Sequence, residues 1–129
     1  MGYKLVNINN RSALLKDNNY YDLETISNGD ISSNSIKSIS SIEKLSSLYQ
    51  KLDTFIPTGS INDISLDAPI KGSKNCFAVG LNYKNHAEES GMEIPPFPMI
   101  FTKHTTCIVG PNSNIELKSD IVDYEAELV

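Results

Sequence analysis

The stretch NCFAVGLNYKNHAEESG, Asn75–Gly91, changes character twice along its length. NCFAVGLNY opens with a continuous apolar run that breaks at Gly80, the pattern of a buried strand delivering its C-terminal end to a site. NHAEESG then reads as a short helix closed by Gly91, since glycine accepts the left-handed conformation at a helix C-terminus. A strand of this kind needs partners. The sequence offers MIFTKHTTCIVG, strand-like again, beyond the stiff Pro-rich turn EIPPFP, and then VDYEAELV.

The residues before this stretch have another texture. YKLVNI, SALLKD and YYDLET read as short antiparallel strands, with Asn9–Asn10 and Asn18–Asn19 as turns, because Asn tolerates the left-handed backbone of tight hairpins. SNGDISSNSIKSISS is polar and Ser-rich and reads as a loop. A helix is expected over about Ser41–Thr54. Ser40 and Glu43 have capping-box spacing, and Ile42, Leu45, Leu48, Tyr49 and Leu52 recur on one face, the mark of a packing stripe. Nothing in this part carries chemistry. The domain reading is a small N-terminal leader domain over 1–57, a linker over 58–69 containing the extended SLDAPI, and the start of a second domain over 70–129. The fold class is mixed α+β and strand-rich.

Composition excludes several functions. A net charge of -5 argues against a nucleic-acid partner, because phosphate binding needs clustered Lys and Arg. No apolar run approaches a membrane span. MGYKLVNINN lacks the basic and apolar regions of a secretory signal, and Val6 stands where myristoylation wants Ser or Thr. Cys76 and Cys107 have neither disulfide-framework nor zinc-site spacing and read as two reduced, buried thiols in a cytoplasmic protein.

Two pairs of residues suggest chemistry. In a strand Glu125 and Glu127 point to the same face, and two like charges side by side favour a cation between them. A hard divalent ion such as Mg²⁺ or Mn²⁺ suits oxygen ligands and keeps waters that a substrate can replace. The same spacing also fits a solvated outer face with Tyr124, Ala126 and Leu128 in the core. On a helix His86 and Glu89 are neighbours, so the carboxylate can orient the imidazole and fix its tautomer, as a general base requires, although ordinary surface helices carry the same pair at the same spacing. Lys103 is either an anchor for a substrate carboxylate or a surface amine, and His104 is expected to face solvent.

Taken in order, GLNYKNHAEE, PPFPMIFTK, IVGP and VDYEAEL resemble the catalytic domain of the fumarylacetoacetate hydrolase family, over roughly Leu66–Val129. The resemblance implies an N-terminal leader domain followed by the beginning of a β-roll catalytic domain. It implies that Glu125 and Glu127 are metal ligands, with Mg²⁺ as the usual ion and Mn²⁺ or Ca²⁺ able to substitute. His86 and Glu89 would be the catalytic dyad, on a helix that orders as a lid when substrate binds. The implied activity is hydrolysis of a C–C bond in acylpyruvate-like substrates, or a related decarboxylation, isomerisation or hydration. The substrates would be small oxo or diketo acids from the breakdown of aromatic compounds or sugar acids, and the full-length parent would be a homodimer.

His104 departs from the family pattern, which commonly has Pro after the lysine. A third acidic metal ligand, a substrate-binding lysine and most of the β-roll lie downstream of the Glu-x-Glu strand in the family. The expectation is therefore an N-terminal portion of an enzyme, inactive alone. The alternative is an inactive remnant or a non-catalytic interaction module.

Overall fold

Asn9 and Asn10 both adopt left-handed backbone, with φ 50° and 62°. They close a two-residue hairpin between β1 (Lys4–Ile8) and β2 (Arg11–Lys16). In this computed structural model, which describes residues 2–122, 124, 126 and 127, the hairpin opens an antiparallel sheet in the order β1-β2-β3-β4. β3 is Asn19–Asp22, and Lys16 pairs with Asn19, so the second turn is Asp17–Asn18, one residue earlier than expected. Asp17, at φ 53°, takes the left-handed position there.

YYDLET is not a strand throughout. The Asp22 carboxylate accepts a hydrogen bond from the Thr25 N–H at 2.9 Å and starts the short helix α1 (Leu23–Ile26). The Ser-rich loop reading also needs correction, because α2 (Ser35–Ile39) lies inside it. Asn34 caps that helix through Lys37 N at 3.1 Å, and buried Ser38 Oγ donates to Ser12 Oγ at 3.0 Å. Serines that satisfy one another in this way can be core residues, which a search for apolar periodicity misses.

α3 (Ile42–Tyr49) is shorter than the expected Ser41–Thr54. Lys51 N bonds Leu48 O, and a separate 3₁₀ turn covers Leu52–Thr54. Tightening to i→i+3 bonds ends the α-helix there. The Ser40–Glu43 capping box does not form; Ser41 is the N-cap, without a side-chain cap bond. Leu45 and Leu52 are fully buried and join Leu14, Tyr21, Leu23, Ile26 and Ile31 in one core between sheet and helices. Ile42, expected on the packing stripe, is exposed.

β4 (Gly59–Ser60) pairs with β3, so the first sheet reaches into the segment expected as a linker. The second sheet is the antiparallel pair β5 (Cys76–Gly80) and β6 (Met99–Lys103), with Phe77 opposite Thr102 and Val79 opposite Ile100. The expected burial of this strand is not found. Phe77 is 64% exposed and Ile100 68%, because a two-stranded sheet covers neither of its own faces. The thiols differ from expectation too: both are free, but Cys76 is only half-buried and Cys107 is exposed. Among the described residues no helix is long and apolar enough to cross a membrane.

Candidate active site

β5 ends at Gly80, and the next residue, Leu81, has φ 52°. A branched side chain in the left-handed region is strained, and it persists only where the surroundings impose it. Here it turns the chain so that α4 (Lys84–Glu89) starts directly off the strand end, with Tyr83 as N-cap. The C-terminus of α4 is closed by Gly91 at φ 64°, with Gly91 N bonded to Glu88 O at 3.2 Å and Met92 N to Ala87 O at 3.0 Å. That pair of bonds satisfies the last carbonyls and fulfils the expected glycine stop. Ala87 is the one buried residue of α4. A helix this short has little stability of its own and hangs on its cap and that single small contact.

α4 forms one wall of a cavity of about 340 Å³ lined by Tyr83, Asn85, His86, Glu89, Tyr124, Ala126 and Glu127. The structure thus brings together three of the residues singled out from the sequence. His86 is half-buried, while Glu89 and Glu127 are exposed. Their combination provides an imidazole able to take and return a proton, beside two carboxylates that can orient it or hold a cation. Glu125 lies outside the described residues. Lys103 is exposed on β6, its Nζ 5.9 Å from the centre of the Phe101 ring, and does not line the cavity. His104 faces solvent as expected.

Of the strand expected at VDYEAELV the structure describes only Val122, Tyr124, Ala126 and Glu127, and none of these four carries a strand assignment. The alternative that buried Tyr124 in the core is overturned, since Tyr124 is 93% exposed. Among the described residues no three His, Cys, Asp or Glu side chains gather as a metal site. The oxygen donor Glu127 suits a hard divalent ion, and its sequence neighbour Glu125 would be the second donor.

Sequence reasoning did not single out Tyr83, Asn85, Tyr124 or Ala126. Asn85 was legible in principle, one helical turn before Glu89 on the same face. The approach of Tyr124 to α4 is a long-range contact and left no local signal.

Residues 75–129 match the family model described as Fumarylacetoacetate (FAA) hydrolase C-terminal. Over these residues the chain is similar to the fumarylacetoacetate hydrolase family. It is 46% identical over 71 residues to the fumarylacetoacetate hydrolase domain-containing protein 2 homolog of Dictyostelium discoideum, covering 54% of this chain and 23% of that one. It is 40% identical over 75 residues to the oxaloacetate tautomerase YisK of Bacillus subtilis, covering 54% of this chain and 25% of YisK. The crystal structure of a Mycobacterium smegmatis protein assigned as HpcE matches with a TM-score of 0.66 at 26% identity, over 88% of this chain and 40% of that one. The matched stretches therefore span about a quarter of the length of these curated relatives. His86, Glu89, Lys103, Glu125 and Glu127 all fall inside the stretch that the family model matches.

Proposed function

We propose that this chain supplies the dyad helix and the first metal-binding carboxylates of an enzyme acting on small oxo acids. The observation that supports the reading is the cavity that gathers His86, Glu89 and Glu127 from distant parts of the sequence. Relatives in the family include oxaloacetate tautomerases and a 2,4-didehydro-3-deoxy-L-rhamnonate hydrolase. Those activities share a substrate with a keto group beside a carboxylate, whose adjacent C–H or C–C bond is weakened when charge moves onto the keto oxygen.

In this reading Glu89 orients the His86 ring across one turn of α4, leaving the other ring nitrogen to take a proton. With a tautomerase substrate that proton leaves carbon and returns to oxygen. With a diketo acid it comes from a water that attacks the distal carbonyl; the C–C bond of that adduct then breaks, and the enolate released takes the proton back from His86 on carbon. A divalent ion, Mg²⁺ by preference, held by Glu125 and Glu127, would polarise the substrate's keto and carboxylate oxygens. The small buried area of α4 suits an element that closes over bound substrate, since lids are drawn from the low-stability end of a fold. The 129 residues alone are proposed to be inactive, the full-length protein to be a cytoplasmic homodimer, and the first 57 residues to be its leader domain.

The test is turnover by the full-length gene product of a panel of oxaloacetate, acylpyruvates and 2,4-diketo sugar acids, with and without Mg²⁺. Mg²⁺-dependent turnover of at least one is expected. No turnover across the panel would favour the second reading, a non-catalytic interaction module, for which the exposed Phe77 and Ile100 are the supporting observation.

A further inference from the structure

Asn7 is a buried residue on β1, 2% exposed, yet its hydrogen bonds leave its own sheet. Its Nδ2 donates to Ala68 O at 3.0 Å, and its backbone O accepts from Asp67 N at 2.9 Å. This orientation of the amide leaves Oδ1 buried with no hydrogen-bond partner among the described residues. A buried acceptor without a donor is costly, so the amide is held this way by what it does on its other side. The neighbouring hairpin turn repeats the grip. Asn10 N donates to Asp67 Oδ2 at 2.7 Å, and Lys71 Nζ reaches Asn10 Oδ1. Lys71 N in turn donates to Ser35 Oγ at 3.0 Å, at the start of α2.

Residues 67–71 are thereby fastened to the first sheet and α2 just before the chain enters β5. The exit from β6 is anchored to the same segment. A Cβ placed on Gly110 would lie 2.2 Å from Leu66 O, so the backbones of the two segments touch there. Among the described residues β5 and β6 pair only with each other, and α4 springs from the end of β5. The base of the hairpin is thus where its position relative to the N-terminal sheet is set.

We infer that Asn7 and Asp67 are positioning residues, which lock the base of the β5–β6 hairpin to the N-terminal sheet and so hold α4 and His86 in place. Any effect on turnover rests on the proposed function; the lock itself does not.

The test uses the 129-residue chain, dilute, in hydrogen exchange and in NMR of its two histidines, His86 and His104. Asn7→Leu removes the donor to Ala68, and Asp67→Ala removes the acceptor for Asn10 without touching a core residue. Each should speed exchange across β5 and β6 about tenfold, the scale of one lost hydrogen bond, while the amides of β2 stay as protected as before. The His86 ring signals should shift. Asp67→Asn keeps an acceptor and should restore both readouts. Unchanged β5–β6 protection and an unmoved His86 in Asp67→Ala would overturn the inference, as would an equal loss of protection in β2. Because neither readout involves substrate, these results stand or fall separately from turnover by the full-length protein.

Discussion

Arg11 and Asp22 meet in a two-pronged ion pair: Nε donates to Oδ2 at 2.6 Å and Nη2 to Oδ1 at 2.9 Å. The same Asp22 Oδ1 caps α1 through Thr25 N, and Arg11 Nη2 also reaches Glu24 Oε2 at 2.8 Å. Burial is the largest influence on Asp22 and raises its pKa, but the bonds from Arg11 and Thr25 together outweigh it, so the carboxyl sits below the ordinary carboxylate range. One side chain therefore ends β3, starts α1 and holds the hairpin strand β2 by its first residue.

Asp22→Ala removes a helix cap and a charged hydrogen-bond partner at once. Arg11 is 46% exposed, so water screens the pair and the cost stays near that of a cap plus one charge-assisted bond, about 2 kcal/mol. Urea unfolding followed by circular dichroism measures it. The pH dependence has a definite sign. With the folded value depressed, the unfolded chain binds the proton more readily, so this stability is present above the ordinary carboxylate range and is lost as pH falls through the folded value. Asp22→Asn should flatten the acid limb of a stability–pH curve. An unchanged slope would remove Asp22 from the account.

In the full-length protein His86→Ala should retain metal and lose about 10²–10⁴-fold in kcat, the usual scale for general acid–base catalysis. Glu127→Ala and Glu125→Ala should each abolish both metal binding and turnover. A fully active His86→Ala variant across the oxo-acid panel would end the assignment of the dyad.

The 129-residue chain should bind divalent metal weakly. Two carboxylates leave Mg²⁺ mostly hydrated, and the ion gives up its waters reluctantly. Titration calorimetry with Mg²⁺ and Mn²⁺ checks this, and tight stoichiometric binding would show that two donors are not the whole site.

How far the sequence could be read depended on how local each feature is. The Asn9–Asn10 hairpin follows from one dipeptide's tolerance of left-handed backbone, and the structure has it there. The Gly91 stop and the β5–α4 order are local in the same sense. What was hidden needed partners. Asp22 ends a strand because Thr25 and Arg11 come to it, and Ser38 is core because Ser12 faces it. Phe77 and Ile100 were indistinguishable in sequence from buried strand residues, since burial is decided by what packs above them. The carboxylates at 125 and 127 show the limit most clearly. Their spacing argued for a shared strand face, but what Glu127 meets, the α4 wall of the cavity, is a long-range contact that spacing cannot supply.

The exposed hairpin leads to the last prediction, that the 129-residue chain self-associates. Phe77 and Val79 lie on the same side of the second sheet as their cross-strand partners Thr102 and Ile100, giving a contiguous face with apolar residues on both strands. Each strand also has a free edge among the described residues, because the sheet has two strands only. Unpaired edges and open apolar faces are templates for other chains. The N-terminal core, by contrast, is closed over Leu14, Leu23, Leu45 and Leu52 and should stay folded throughout. Phe77→Lys and Ile100→Lys place charge on the open face without touching that core. Each should shift the chain toward monomer in size-exclusion chromatography with light scattering, at unchanged protection of β1–β3 in hydrogen exchange. A wild-type chain that runs as a monodisperse monomer up to high concentration would show that this face is not sticky enough to drive association.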